Sequence, residues 1–537
     1  MRGGRLYCIF ILILICISIQ VPGQDTISIN TGISWFQSTK NEFQSHWLLH
    51  NQGGIVKDSK SQLLLYGGIS IPYSITDKWI IVTGANYILK PGDYKSFLQE
   101  LYFKSNIDVL EFRLGKQNRT VGIFYPDLAS GSMAMSHNAR PLPVVGAGIP
   151  EYWAIPGTKG YLEIKGYLLH GWFEKDRYVE SPWLHEKWMY VRIGEPLPVS
   201  VSGGFVHFAQ WAGIHPDRGQ LPYTFKDYIK VFFGEGGGSG GEAVNALGNH
   251  LGVYDVGIDI KFDPLNIHFY HQKPWDDETG LTVIFEDPDR LWGMGIEFKD
   301  IQIVSGILYE FMHTTTQTRP GIPDPTEKYP TPAANYGYPF GGRDDYYNNY
   351  LYKSGWTYHD MIIGTPLFYT QARARKFMPD LSDTYGNIVN NRIIGHHFGI
   401  KGGYKTFNYR ILGTYTRNHG TFAGANKGRH NWASKEEPDF NYEFDPPLDQ
   451  FYFLIETEWT VNNRTSGIFR IGYDTGDIYD NFGFQLGVNY SFELPYSLKR
   501  KQETDNKGPV GKALKTWRRR LRCVEWGMRK HNKYLEN

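Results

Sequence analysis

One stretch near the C-terminal end, residues 482–492 (FGFQLGVNYSF), most constrains what this 537-residue chain can fold into. Its even-numbered positions, from Phe482 to Phe492, are all apolar, whereas its odd-numbered positions carry small or polar residues such as Gly483 and Asn489. Because successive side chains of a β-strand point to opposite faces, this pattern predicts one apolar face and one polar face. A tilted strand needs about 9–11 residues to cross a bilayer. The stretch is therefore predicted to be the closing strand of an outer-membrane β-barrel with a wet interior.

The same alternation recurs along the chain and sets the number of strands. Short turns are predicted at residues 195–198, 263–264, 299–300, 405–406 and 462–465. Long connections alternate with them, at residues 173–185, 211–250, 272–290, 312–391, 418–450 and 474–481. About 17 strands can be assigned directly, and an even number requires one further pass between residues 116 and 159. The predicted fold class is all-β: a transmembrane antiparallel outer-membrane β-barrel of about 18 strands with long external loops and minor helical segments.

The chain is expected to divide into three parts. Residues 1–23 are predicted to be a secretory signal peptide, because Arg2 and Arg5 precede an apolar run that ends shortly before Gln24. The barrel is predicted to occupy residues 24–496, and a basic extension to occupy residues 497–537. That extension is interpreted either as a periplasmic helix that touches anionic partners or as read-through beyond the native stop.

Composition and spacing argue against several classes of function. The formal net charge of +1 gives no indication of a nucleic-acid partner. Once the signal peptide is removed, Cys523 is the one cysteine left, which excludes an internal disulfide and a cysteine-based metal site. The pairs His268/His271 and His396/His397 each place their two rings on opposite strand faces, so neither pair converges on a metal. No cofactor and no metal are expected.

Paired carboxylates are the one pattern in the sequence that suggests catalysis. Glu456 and Glu458 share the inward face of a predicted strand, and two carboxylates of this kind can hydrolyse a glycosidic bond. The same pair also fits the acidic lining of a wet lumen that basic strands balance. We therefore predict that the protein is not an enzyme, and a surface glycan hydrolase stays the lesser alternative.

The predicted outer loops carry a different chemistry, because their tryptophans stand beside charged and amide side chains. Proteins hold carbohydrate by placing an aromatic face over a sugar ring and flanking it with planar hydrogen-bonding groups. The tryptophans could instead anchor the barrel at the level of the lipid headgroups. The predicted carbohydrate-binding residues are Trp183, Trp211, Trp275, Arg343, Asp344, Asp345, Tyr347, Asn348 and Trp356.

Several phrases of the sequence resemble the Wzi family of outer-membrane capsule-assembly proteins. They are residues 136–143 (SHNARPLP), 159–179 (KGYLEIKGYLLHGWFEKDRYV), 203–213 (GGFVHFAQWAG), 221–234, 246–257 (ALGNHLGVYDVG), 291–298, 342–368 and 390–402. The resemblance implies a lectin-like protein of the cell outer membrane that binds capsular polysaccharide and assists the assembly or retention of capsule. Its expected partners are capsular polysaccharide and outer-membrane lipid, and it is expected to be a monomer. A porin-type solute channel is the alternative, since a barrel of this size can hold water.

Overall fold

The computed structural model describes residues 24–92, 95–237, 246–276, 288–317, 344–381, 386–421, 444 and 446–497. The predicted signal peptide lies outside these described residues, and so does the basic extension beyond residue 497. No helix among the described residues is long and apolar enough to cross a membrane.

Eighteen of the strands in the described residues form one closed antiparallel barrel. The remaining six, β10, β11 and β16 to β19, are strands of two or three residues in the outer connections. In chain order the strands are β1 (Gln24–Ser38), β2 (Ser61–Thr76), β3 (Trp79–Leu89), β4 (Phe97–Ile107), β5 (Leu110–Lys116), β6 (Val144–Ala154), β7 (Leu162–Trp172), β8 (Trp183–Ile193), β9 (Val199–Trp211), β10 (Ile214–His215), β11 (Gly219–Gln220), β12 (Asn249–Phe262), β13 (Leu265–Trp275), β14 (Arg290–Phe298), β15 (Gly306–His313), β16 (Thr357–Tyr358), β17 (Met361–Ile362), β18 (Tyr369–Thr370), β19 (Ile388–Asn390), β20 (Ile393–Tyr404), β21 (Phe407–Asn418), β22 (Leu448–Asn462), β23 (Thr465–Gly476) and β24 (Asn481–Ser497). Three short helices are described: α1 (His46–Leu49), α2 (Phe225–Phe233) and α3 (Gln371–Ala374).

The barrel closes where the sequence predicted it would, between the first strand and the last. β1 pairs with β24 over their whole length, from Gln24 opposite Ser497 to Ser38 opposite Gly483. The further pass that an even barrel required is β6, which pairs with β5 and β7. The predicted all-β barrel of 18 strands is therefore confirmed.

The two faces of β24 behave as the alternation predicts. Leu486, Val488 and Tyr490 are 43%, 47% and 39% exposed, which is the outward, lipid-facing side. Gln485, next to Leu486 in the strand, is buried and points into the lumen. The apolar stripe is thus the bilayer surface, and the polar stripe lines the interior.

Short turns and long connections lie at opposite ends of the barrel, and both termini lie with the short turns. In outer-membrane barrels the short turns are periplasmic and the long loops external.

The strand predicted at residues 301–311 begins only at Gly306. Ile301 and Ile303 are exposed in the preceding turn, where the carbonyl of Ile303 accepts a hydrogen bond from the Tyr409 hydroxyl. The alternating apolar residues at 301 and 303 therefore belong to a turn at the edge of the membrane and not to the strand.

Three of the outer connections fold back into the lumen: residues 39–60, residues 117–143, and the described parts of residues 344–391 (344–381 and 386–391), together called the plug. The first is held on the barrel wall by α1. Trp47 donates its indole N–H to Thr414 Oγ1 of β21 at 3.1 Å, and the His46 ring stacks on Tyr452 of β22 with centroids 4.2 Å apart.

The second plug segment reaches deepest into the barrel. Near its middle, the backbone N–H of Met133 donates to Gln272 Oε1 of β13 at 2.8 Å. Further down, Asp127 forms an ion pair with Lys401 at 3.1 Å, close to the turn that joins β20 to β21. This segment therefore extends from the outer end of the barrel almost to the periplasmic end.

The plug segments also bind one another. The backbone N–H of Ser136 donates to the carbonyl of Ile363 at 2.9 Å, and the side-chain amide of Asn138 donates to the carbonyl of Ile362 at 2.8 Å. One hydrophobic cluster joins plug residues with inward residues of the strands. The main core of the protein therefore lies inside the barrel.

Candidate functional site

Five of the predicted carbohydrate-binding residues lie in the third plug segment, and two of these are its largest aromatic anchors. Tyr347 is 2% exposed and Trp356 is fully buried. The Tyr347 hydroxyl donates to the carbonyl of Met133, and the indole N–H of Trp356 donates to the carbonyl of Ala134 at 3.1 Å. Both side chains thus tie the third plug segment to the second, and almost none of their surface is open to a ligand.

The polar residues of the same run are also turned inward. Asp344, Asp345 and Asn348 are all buried. Asp345 accepts a hydrogen bond from the Asn391 amide at 2.6 Å. The Asn348 side chain makes two hydrogen bonds with the backbone of Ile388, donating at 2.8 Å and accepting at 2.9 Å. These contacts lie within the third plug segment and hold its first residues against the residues that lead into β20.

The three tryptophans near strand ends lie on the outer wall of the barrel. Trp183 and Trp211 belong to the same strand faces as Met189 of β8 and Val201 of β9, which are 60% and 45% exposed to the lipid side. Their rings meet edge to face with centroids 4.9 Å apart. Trp275 lies on the corresponding face of β13, where it is buried under neighbouring rings. This is the region of the aromatic belt.

The structure therefore does not bring the nine predicted residues together. Eight are described, of which five lie inside the plug and three on the outer wall, and Arg343 lies outside the described residues. Their role in binding carbohydrate stays a prediction.

A group of cationic side chains that the sequence reasoning missed lies at the outer end of β3 to β5. This cationic cleft is formed by Lys90, Phe97, Lys116 and Arg140. The Arg140 guanidinium lies 3.5 Å from the centroid of the Phe97 ring, and the Lys90 ammonium lies 5.3 Å from it. Cations over an aromatic face are attracted by the ring quadrupole, which helps to hold two like charges close together.

The charge of the cationic cleft is poorly balanced. Among the described residues, no carboxylate oxygen lies within the 4.0 Å ion-pair distance of Lys90, Lys116 or Arg140. Burial lowers the pKa of Lys90 to about 8, and repulsion from Arg140 and Lys57 adds to that shift. An anion placed here would stabilise the ammonium form of Lys90 and raise its pKa again.

A small depression adjoins the cationic cleft. Its interior volume is about 10 Å³, and its lining includes Asn118, Arg119, His137 and Arg140. A volume of this size holds about one water molecule, so a saccharide would lie across the mouth of the depression and not inside it. No local sequence pattern marks the site, because its residues come from separate connections.

One of the paired carboxylates, that of Glu456, belongs to an ion-pair network in the lumen. Glu456 Oε2 lies 2.9 Å from the Arg410 guanidinium and also forms an ion pair with Arg470. This arrangement matches the acidic lining that basic strands balance.

The histidine pairs do not form a metal site. Within the described ranges, no group of three or more His, Cys, Asp and Glu residues is placed to hold a metal ion. His268 points into the lumen toward Asp259, whereas His271 packs against Trp292 on the lipid side, with ring centroids 4.3 Å apart.

Comparison with known proteins identifies the family. The family described as capsule assembly protein Wzi matches residues 38–321, more than half of the 537 residues. The chain belongs to this family. Membership of the Wzi family confirms the predicted resemblance, the link to capsule assembly and the location in the cell outer membrane.

A solved structure of another Wzi protein supports the barrel architecture of this Wzi-family chain. The structure of Wzi from Escherichia coli, described as an outer-membrane protein involved in group 1 capsule assembly and a carbohydrate-binding β-barrel, is 13% identical with a TM-score of 0.51. The match covers 87% of this chain and 85% of that one. OprD from Pseudomonas aeruginosa is 9% identical with a TM-score of 0.44, covering 89% of this chain and 97% of the other. No curated protein matches the chain.

Proposed function

We propose that this Wzi-family barrel binds capsular polysaccharide at its outer end, as a lectin-like protein, and helps to assemble or retain capsule at the cell surface. The observation that carries the proposal is the cationic cleft of Lys90, Phe97, Lys116 and Arg140. Its charges stand at the external rim without carboxylate partners among the described residues. The E. coli relative is described as a carbohydrate-binding barrel, which agrees with this assignment.

The chemistry of the cleft favours an acidic saccharide. Carboxylate or phosphate substituents on a glycan would supply the counter-charges that Lys90 and Arg140 lack, through charge-assisted hydrogen bonds. The Lys90 side chain is 6% exposed and those of Lys116 and Arg140 are partly exposed, and each contact with a charged substituent contributes roughly 0.5–1 kcal/mol to such binding. A single contact is therefore weak, and a long polymer with repeated charges gains affinity by engaging the rim many times.

The test is binding of purified protein to a panel of acidic and neutral capsular glycans. The double variant Lys90→Ala/Arg140→Ala is expected to bind acidic glycans about 10-fold more weakly, because two contacts of this size are lost. The matched control is Lys405→Ala, which removes an exposed cation from a periplasmic turn. If the double variant retains the affinity of the wild type for every acidic glycan, the cleft is not the binding site.

The pH dependence gives a second, independent readout. Since the pKa of Lys90 is lowered to about 8, its ammonium loses its proton as the pH rises through that value. Affinity for an acidic glycan should therefore be full near pH 7 and fall by pH 9. Lys90→Arg keeps the charge throughout this range and should flatten the profile.

The proposal is for a binder rather than an enzyme. Capsular polysaccharide incubated with the protein should keep its chain length. Shortened chains would instead favour the hydrolase alternative.

A further inference from the structure

The helix α2 offers a second functional surface, and the sequence analysis did not predict it. The helix begins at a capping box: Thr224 Oγ1 accepts from the Asp227 N–H at 3.3 Å, and the Thr224 N–H donates to Asp227 Oδ2 at 2.9 Å. It ends at Gly234, whose φ of 71° is the left-handed conformation that glycine adopts easily. Thr224, Asp227 and Gly234 are the sequence signals by which this helix could have been found.

The helix packs against the outside of the barrel. Tyr228 contacts Trp211 and His185, with ring centroids 5.6 and 5.5 Å apart, and Phe232 contacts His185 at 5.3 Å. His185 and Trp211 lie on the lipid-facing sides of β8 and β9, as the exposed Met189 on the same face of β8 shows. The connection between β9 and β12 therefore folds down over the outer wall and not into the lumen.

The wall beneath α2 is unusually polar for a lipid-facing surface. His170, His185, Lys187, His207 and His250 all point outward near the outer ends of β7 to β12. Polar and charged side chains in contact with hydrocarbon are costly. These outward polar side chains therefore have to be shielded from lipid by another part of the protein.

α2 supplies that cover, in part through its own C-terminal end. The ammonium of Lys187 donates to the carbonyl of Phe232 and lies 3.9 Å from the centroid of the Phe232 ring. The last carbonyls of a helix carry partial negative charge, which favours a cation. His207 and His250 satisfy each other through a hydrogen bond of 2.7 Å.

The side of α2 adjacent to the packed face presents an apolar stripe to its surroundings. Phe225, Ile229 and Phe233 are spaced four residues apart, so they share one face of the helix, and they are 78%, 38% and 66% exposed. Lys226 and Lys230 occupy the neighbouring stripe. A short helix with an apolar stripe beside a basic one is typical of helices that lie in the plane of a membrane interface.

We propose that α2 is an in-plane anchor whose apolar stripe is immersed in the outer leaflet of the membrane. Its occupant is lipid: acyl chains contact Phe225, Ile229 and Phe233, and anionic headgroups lie at the level of Lys226. The stripe continues the bilayer-facing belt formed by residues such as Met189. The anchor thus seals the polar part of the wall and extends the lipid contact beyond the strands.

The experiment places a fluorophore on single cysteines in proteoliposomes whose lipids carry spin-label quenchers on the acyl chains. All variants carry Cys523→Ser. Labels at Ile229→Cys and Phe233→Cys test the stripe, Met189→Cys is the lipid-facing control, and Lys226→Cys reports the polar side of the same helix. Heat-modifiable migration on a detergent gel verifies that each variant has folded.

The stripe positions are expected to be quenched by the acyl-chain label to an extent similar to position 189, and position 226 clearly less. Quenching of both stripe labels by aqueous iodide, without quenching from the acyl chains, would overturn the proposal. Cross-links between cysteines 229 of two copies would also overturn it, because the stripe would then be a protein interface.

Discussion

The substitution Trp356→Ala tests whether the plug is a separate unit inside a self-sufficient barrel. Trp356 is fully buried between the second plug segment and the wall. Its ring centroid lies 5.2 Å from that of Phe208 on β9, and its indole N–H donates to the carbonyl of Ala134 at 3.1 Å. The indole is thus both a packing unit and the bridge between two plug segments.

The expected cost follows from the burial. Replacing a buried Trp by Ala typically costs about 3–5 kcal/mol, and the carbonyl of Ala134 is left without its partner, which adds about 1 kcal/mol. The strand ladder of the barrel is closed on itself and does not include Trp356. We therefore expect the total loss of about 4–6 kcal/mol to make opening of the plug about 1000- to 25,000-fold more frequent, with the barrel intact.

Hydrogen exchange detected by mass spectrometry measures how often the plug opens. Peptides from residues 117–143 and 344–391 should exchange much faster in Trp356→Ala, while peptides from the strands keep their protection. Conductance in planar bilayers should rise from a low level, since the plug fills the lumen. Trp356→Phe keeps most of the ring and should lose only about 1 kcal/mol. Tyr350→Ala, at a residue 43% exposed in the same segment, serves as the matched surface control.

Two results would refute this reasoning. If the plug peptides of Trp356→Ala exchange as slowly as those of the wild type, Trp356 does not hold the plug. If strand peptides lose protection to the same degree, or if the unheated sample no longer migrates differently from the boiled one, plug and barrel are one cooperative unit.

Two further predictions concern acid and the C-terminal end. Burial, with Arg373 nearby, lowers the pKa of His50 from 6.5 to about 4, so the plug should be fully stable above pH 6.5 and lose up to about 3 kcal/mol as the pH falls toward 4. Exchange of residues 39–60, corrected for intrinsic rates, should increase between pH 7 and pH 5, and His50→Gln should reduce that increase, since burial also lowers the pKa of His46 in the same segment and His46 supplies the rest; an unchanged wild type would contradict the assignment. A stop placed after Tyr496 should leave the amount of membrane-inserted protein unchanged, because only the last pair of the β1–β24 ladder, with Ser497, is lost. A drop in inserted protein would show that the extension assists closure.

The barrel could be predicted from the sequence because its information is local. Alternation along a single strand reports which face meets lipid, and the alternation of short and long connections reports the direction of each pass. Even the pass that showed no clear pattern, β6, followed from the requirement for an even number. Its burial pattern explains the weak signal, since most of its residues are neither clearly buried nor clearly exposed.

The plug could not be predicted in the same way. Its contacts join residues far apart in the chain, such as Trp47 and Thr414, separated by 367 positions. A loop rich in aromatic and amide side chains has the same composition whether it lies over the barrel mouth or inside it. Tyr347 and Trp356 were therefore predicted as ligand contacts, although the structure uses them as anchors of the plug.

The wall tryptophans did carry a usable signal. Trp211 has the same parity as Val199 and Val201 in its strand, so its outward direction follows from the alternation. The cationic cleft had no comparable signal, because Lys90 lies in the β3–β4 connection whereas Lys116 and Arg140 lie at the two ends of the β5–β6 connection.

The distance between the first plug segment and its docking sites has a consequence for biogenesis. The backbone N–H of His46 donates a hydrogen bond to Asp474, 428 positions later in the chain, and the indole N–H of Trp47 donates to Thr414 of β21. The α1 part of segment 39–60 therefore gains its docking surface only when β21 to β23 have formed. We expect the buried ring of Trp47 to stay exposed to water until then, so that the docking of α1 belongs to the last steps of barrel assembly.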